Sequence, residues 1–230
     1  MPSFQQLSLW HWLVIGATGW AIVGVVAAAP GLRRSQQEPW LRGILLVLLG
    51  LTITVGWGVA LMRGEARLPC QLCDLALLLM IWSRAGGPRA VKELAFFWGL
   101  AGSSQAILTP DLQEGCPSLR CLTFFSGHCA VVIAAVYLAA RTRLALTTQD
   151  VWRVWAVSNV YVGVAGALNW IFGTNYGYLA RTPAHPSLLD YLGPWPWYVI
   201  SLEVLAWGLF AGCVAASRAL DHWVGDGRAA

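Results

Sequence analysis

LRGILLVLLGLTITVGWGVALM, residues 41–62, decides the fold. From Gly43 to Met62 the chain carries no charged side chain. An α-helix rises about 1.5 Å per residue, so this run reaches about 30 Å, the thickness of a bilayer's hydrocarbon core. The rest of the chain has the same character. Of 230 residues, 57% are hydrophobic and 11% are charged. Soluble domains carry charge on about a quarter of their residues, so this chain has too little to solvate a globular surface. Fourteen Trp residues suit a chain with two membrane interfaces, where the indole ring collects.

Working outward from that stretch, seven segments are predicted to span: Leu9–Ala29, Leu41–Met62, Pro69–Ser83, Val91–Leu108, Leu122–Ala140, Val154–Phe172 and Trp197–Ala216. The fold class is therefore all-α, a polytopic membrane bundle in a single domain over residues 1–230. The third segment is short, reaching only about 22 Å. Ala27, Ala28 and Ala29 resemble a signal-peptidase site. No Lys or Arg precedes that first segment, however, and its apolar run exceeds the usual length, so it is read as a retained helix. Of the 15 Lys and Arg residues, only Arg63, Arg67, Arg120 and Arg181 fall on one side of this arrangement. Positive charge collects on the cytoplasmic side, which predicts an outside N-terminus and a cytoplasmic C-terminus. The net charge of +4 is modest. No basic tail, repeat or low-complexity tract points to nucleic acid. Membrane phospholipid is the expected partner as solvent.

Ionisable side chains inside a span cost about 2.5 kcal/mol or more, so each needs a reason. Asp74 falls in the first turns of the third segment, His128 early in the fifth and Glu203 early in the seventh. Gln105 and Asn169 fall near the far ends of the fourth and sixth. All five lie toward the outer side, as a shared pocket would require. A helix too short to cross, opened by Pro69, would point its N-terminal N–H groups into that pocket.

Six cysteines are present. Cys116 and Cys121 form the expected disulfide, provided the outer compartment is oxidising. Pairings with Cys70 stay open. Cys129 and Cys213 read as core residues. Cys73 stands at a helix start, where a thiol loses its proton more readily, and a histidine at similar depth would complete a nucleophilic pair. Cys70 and Cys73 also have zinc-ligand spacing, but there is no second such pair and no well-spaced histidine, so no metal is expected.

Two longer patterns add a resemblance. Gly173-Thr174-Asn175-Tyr176-Gly177-Tyr178-Leu179, followed by Ser187-Leu188-Leu189-Asp190-Tyr191-Leu192-Gly193-Pro194-Trp195-Pro196-Trp197-Tyr198, resembles the signature of the bacterial YwaF membrane proteins. Leu68, Pro69, Leu72, Cys73 and Asp74 match a second motif of that family, and Phe124–His128 a third. Gln71 and Cys129 stand where relatives often have His and Gly. The family is related to an animal transmembrane acyltransferase that makes polyunsaturated ether phospholipids. The resemblance implies a membrane acyltransferase with Cys73 and His128 as its catalytic pair, working through a thioester and needing no cofactor. Asp74, Gln105, Asn169, Asn175, Tyr176, Asp190 and Glu203 are the expected binding or supporting residues. Asp190 is also read as a helix cap, and Glu203 as either a partner of His128 or an interhelical bond. Two other readings stand beside this one. One is a thiol–disulfide oxidoreductase using Cys70/Cys73 with Cys116/Cys121 as a relay. The other is a non-catalytic lipid-binding or assembly protein.

Overall fold

The structure, a computed structural model, describes residues 4–34, 38–65 and 68–226. Arg67 and Arg228, both used in the charge reading, lie outside them. Among the described residues the secondary structure is helical. The helices are α1 (Leu9–Arg34), α2 (Glu38–Met62), α3 (Leu72–Arg84), α4 (Arg89–Phe97), α5 (Ser103–Leu108), α6 (Leu119–Arg141), α7 (Thr148–Phe172) and α8 (Trp197–Asp226). Five of them, α1, α2, α6, α7 and α8, are long and apolar enough to cross a membrane. The chain is a multi-pass membrane protein.

The fourth predicted segment is a helix with a fault in it. Residues Trp98–Gly102 form a π-helical turn between α4 and α5. The third segment begins later than the sequence suggests. Pro69 lies ahead of α3, because Gln71 is extended (φ −68°, ψ 144°) and the helix starts at Leu72. The carbonyl of Cys70 accepts a hydrogen bond from Tyr161 Oη at 3.0 Å, which holds residues 69–71 out of the helix. The 13 residues of α3 reach only about 20 Å.

Helix α6 is the axis. It packs against α1, α2, α3, α4, α5 and α8, and Ala134, Ala135, Ala139 and Ala140 on its inner faces are buried. Small residues let helix backbones approach closely, the main source of helix association in lipid. Gly99 shows how tight the contact is. A Cβ added there would lie 3.0 Å from Val131 Cγ1 and 3.4 Å from Met80 Cε. Gly99→Leu is therefore expected to cost about 1–3 kcal/mol by overpacking, read as a lower melting temperature in detergent. The remaining long helices turn large apolar side chains outward, among them Trp20, Leu48, Trp170 and Val204.

The end of the bundle bearing Arg89 is tied by charge. Glu93 and Asp150, both buried, share Arg89 and Arg153: Arg89 reaches Glu93 at 2.6 Å and Asp150 at 3.7 Å, and Arg153 pairs with both. Buried carboxylates need such pairing, since an unpaired one would be strongly destabilising. Asp150 also closes a capping box with Thr147 at the start of α7. This clamp joins α4 to α7 and leaves the opposite end, with the start of α3, to the polar groups described next.

Candidate functional site

At the Cys73 end the loop of residues 173–196 folds over the start of α3. Asn169, 6% exposed, anchors it. Its Oδ1 accepts from Tyr176 N (2.6 Å) and Thr174 Oγ1 (2.8 Å), and its Nδ2 donates to Tyr176 O at 3.0 Å. Gly173 ends α7 in the left-handed region (φ +65°), which glycine adopts freely. Asn175 Oδ1 accepts from Ala180 N and Arg181 N, both at 3.1 Å. Gln71 spans the gap from α3, accepting from Gly177 N at 3.0 Å and donating to Asn175 O at 3.5 Å. Gly177 must lack a side chain for two reasons: its φ is +63°, and a Cβ would meet Tyr161 Oη at 2.8 Å. The residue at position 71 is thus a clasp between loop and helix.

The loop is also tied to the rest of this end. Tyr178 Oη donates to Asp111 Oδ2 at 3.1 Å, and His185 Nδ1 lies 2.9 Å from Asp111 Oδ1. Buried Tyr198 donates to Tyr178 O at 2.5 Å. Asp190 accepts from Ser187 N at 2.7 Å and so caps a short 3-10 turn, Leu188–Tyr191. Glu203 accepts from Asn159 Nδ2 at 3.1 Å, an interhelical bond between α8 and α7. The side chain of Gln105 takes no hydrogen-bond partner among the described residues. Asn169, Asn175, Asp190 and Glu203 are therefore each occupied locally.

Cys116 and Cys121 are joined as a disulfide with Cα atoms 5.4 Å apart. Ser118 caps α6 between them, accepting from Cys121 N at 3.1 Å. Cys70, Cys73, Cys129 and Cys213 take no part in that disulfide. Cys129 packs toward α1, where Thr18 Oγ1 lies 3.1 Å from its sulfur. Beside this disulfide, Arg63 pairs with Glu114, and Arg120 with Glu65. The hydrogen bond from Arg63 holds the Glu114 carboxyl below its ordinary 4.5. A carboxylate with a depressed value stabilises the fold above its unfolded value, and that contribution disappears as pH falls through the folded one. Glu114→Gln is therefore expected to reduce amide protection over residues 109–118 at about pH 6. The difference from wild type should close as pH falls through the lowered value of Glu114, below which both side chains are uncharged.

Two histidines near this end are held in opposite ways. His11 is fully buried and satisfied: Nδ1 accepts from Leu7 N at 2.9 Å, so the proton sits on Nε2, which meets Ile107 O at 2.7 Å. His128 has Nδ1 2.7 Å from Phe124 O. A carbonyl only accepts, so Nδ1 bears the proton and Nε2 presents a lone pair. That Nε2 is buried with no partner among the described residues. The ring lies against Phe124, centroids 4.2 Å apart.

Cys73 and His128 are brought to one level on touching helices. Leu72 Cδ2 lies 3.5 Å from where Gly102 would carry a Cβ, and Gly99 meets Val131 and Ala135 of α6. The α4–α5 rod and α6 run in opposite directions, so residues 102–104 come level with about 128–130. Cys73 is beside Leu72 and seven residues before Met80, on the same face of α3. Met80 reaches the Gly99 contact, so that face is turned to the π turn and α6. The sequence pointed to Cys73 and His128 but missed Tyr161, whose position mid-helix carries no motif, and Gln71, noticed only as a departure from relatives.

These features define a class: a multi-pass helical membrane protein with a loop tied by hydrogen bonds over the start of α3, and with a thiol and an imidazole on neighbouring helices at that end. The TMEM164 family model matches residues 6–214, and the chain belongs to that family. No curated protein and no solved structure matches it.

Proposed function

We propose that the protein is a phospholipid acyltransferase of a bacterial cytoplasmic membrane, in the YwaF-like branch suggested by its loop signature. In this reading it is a seven-helix bundle with its N-terminus outside and its C-terminus in the cytoplasm. The supporting observation is the state of His128, an imidazole whose Nδ1 is committed to Phe124 and whose buried Nε2 keeps an unshared lone pair, level with the Cys73 thiol. Nε2 of His128 takes the proton of the Cys73 thiol, and the thiolate attacks the carbonyl of a phospholipid ester. The C–O bond breaks, the acyl chain stays as a thioester, and the lysolipid leaves with a proton from His128. A second lipid hydroxyl then gives its proton to His128 and attacks the thioester. The C–S bond breaks and the thiolate returns. N–H groups at the start of α3 stabilise the developing oxyanion, and the unpartnered Gln105 amide suits a lipid head group.

An apolar groove of about 300 Å³ between α2 and α3, lined by Ile53, Thr54, Trp57, Pro69 and Leu78, supports lateral entry of an acyl chain beside the start of α3. The burial of Cys121 at 1% exposure favours a structural staple over a relay disulfide. The test is lipid mass spectrometry on vesicles holding the purified protein, an isotope-labelled phospholipid donor and an unlabelled lysolipid acceptor. Label should appear in the acceptor. Its absence over many hours, with folded protein, would sink the proposal.

A further inference from the structure

We infer that a cleft in the loop of residues 173–196 is a head-group site, in which Arg181 holds the phosphate and Asp190 the ammonium group of a zwitterionic phospholipid. The cleft has a volume of about 500 Å³, and Arg181, Thr182, Asp190, Gly193, Trp195 and Tyr198 are among the residues that line it. Small-molecule sites commonly fall between about 300 and 1,000 Å³. The inference goes beyond the acyl-transfer reading, since it needs the cleft and not Cys73. It also adds something that reading lacks. Transfer between two lipids calls for two head-group places, and the Gln105 amide suits one.

The walls of the cleft are fixed without using up its charges. Asn175 holds residue 181 by both backbone groups, accepting from Arg181 N at 3.1 Å and donating to Arg181 O at 2.9 Å. Trp195 Nε1 donates to Leu179 O at 3.1 Å, and Tyr198 Oη donates to Tyr178 O. Asp190 commits Oδ2 to Ser187 N. Its Oδ1 takes no hydrogen bond among the described residues, and the Arg181 guanidinium takes neither a hydrogen bond nor an ion pair among them. A cation and an anion therefore line one cleft without pairing with each other. A ligand that carries an anion and a cation close together satisfies both.

The position of the cleft identifies that ligand. It lies directly ahead of α8, whose apolar span begins at Trp197. Tyr191, Trp195 and Trp197, in and beside the lining segment, are exposed, and such rings collect at the head-group level of a bilayer. A guanidinium grips phosphate oxygens through paired N–H groups. A carboxylate sharing a cleft with an indole draws an ammonium group by charge and by the ring's electron-rich face. In a zwitterionic head group a short ethylene link joins phosphate to ammonium, so one molecule supplies both. Its acyl chains then run along Trp197, Ile200 and Val204, which are exposed and spaced to share one face of α8. An anionic phosphoglycerol head group brings no cation to Asp190, so the cleft selects against it.

The test uses the full chain in detergent and reads the first bound lipid by native mass spectrometry, with dioleoyl phosphatidylethanolamine and dioleoyl phosphatidylglycerol in competition. Wild type is expected to retain the ethanolamine lipid at least about 10-fold better, the effect of one charge-assisted contact. Arg181→Gln should weaken both lipids about 10-fold. Asp190→Asn, whose amide oxygen can still cap the turn at residues 188–191, should bring the two lipids to within about 2-fold of each other. Both side chains are exposed, and should Asp190→Asn not fold, Arg181→Gln decides alone. Equal retention of the two lipids by wild type, unchanged retention in Arg181→Gln, or a preference kept in folded Asp190→Asn would overturn the inference. Glycerophosphoethanolamine, the head group without chains, should displace the lipid only at concentrations at least about 100-fold higher, because the chains supply much of the binding. Displacement at equal concentration would make this a site for a soluble phosphate ester and overturn the lipid assignment. The measurement involves no turnover, so a protein that transfers no acyl chain leaves its result standing, and its failure leaves the Cys73–His128 reading untouched.

Discussion

Cys73→Ser and His128→Ala are each expected to reduce acyl transfer at least about 100-fold, while Cys70→Ser and Cys116→Ser retain it in proportion to folded protein. The size follows from the roles. Removing a positioned general base typically costs between about 10² and 10⁴ in rate. A serine hydroxyl at position 73 is a far weaker nucleophile than a thiol that loses its proton to a nearby imidazole. Cys70 contributes its backbone carbonyl to Tyr161, which Ser would also supply. Cys116 staples the approach to α6, so its loss should appear in stability before it appears in kcat. If Cys70→Ser or Cys116→Ser were as damaging as Cys73→Ser at equal amounts of folded protein, the chemistry would involve a thiol pair, and the oxidoreductase reading would replace this one.

The largest structural effect is expected at Asn169. One buried amide satisfies three groups of the loop: Tyr176 N, Tyr176 O and Thr174 Oγ1. Asn169→Ala leaves Tyr176 N beneath the loop without its partner, strips Thr174 Oγ1 of its acceptor and leaves Tyr176 O with Leu179 N alone, at 3.3 Å. An unsatisfied buried group costs about 1–3 kcal/mol and each of the other two lost bonds about 1 kcal/mol, so the total is about 3 kcal/mol or more. At about 2–4 °C per kcal/mol for a chain of this size, the melting temperature should fall by about 6–12 °C. Because the loop crosses the start of α3, protease cleavage within residues 173–196 should rise in parallel. A melting temperature within about a degree of wild type would show that the loop is held mainly by Gln71, Tyr198 and Asp111.

The helical, multi-pass character was readable because it depends on bulk quantities. The uncharged run from Gly43 to Met62 needs lipid whatever its neighbours do, and the helix bounds found for α2, α6 and α7 bracket the apolar stretches closely. Where the reading slipped, a specific contact decided the outcome. Pro69 suits a helix start, but the tertiary bond from Tyr161 to Cys70 O pulled residues 69–71 out of α3. The π turn at Trp98–Gly102 left no mark in the hydropathy pattern, because one extra residue in a turn changes neither composition nor length. The polar residues showed a similar limit. Depth along a helix follows from counting residues, which is why Asp74, Gln105, His128, Asn169 and Glu203 could be assigned to one end. Direction around the helix and the choice of partner depend on packing. Glu203 found Asn159, and Asn169 found its own following loop. His128 differs because its spare nitrogen found nothing so local.

That nitrogen and the thiol level with it are the centre of the account, and the acyl-enzyme is its most direct test. Wild-type protein and His128→Ala should be incubated with a defined diacyl phospholipid, digested under acid and mapped by mass spectrometry. The account predicts a hydroxylamine-labile fatty acyl mass on the peptide containing Cys73, strongly reduced in His128→Ala and absent from Cys129 and Cys213. An unmodified Cys73 in folded, lipid-loaded protein, or an acyl group found on Cys70 instead, would contradict it.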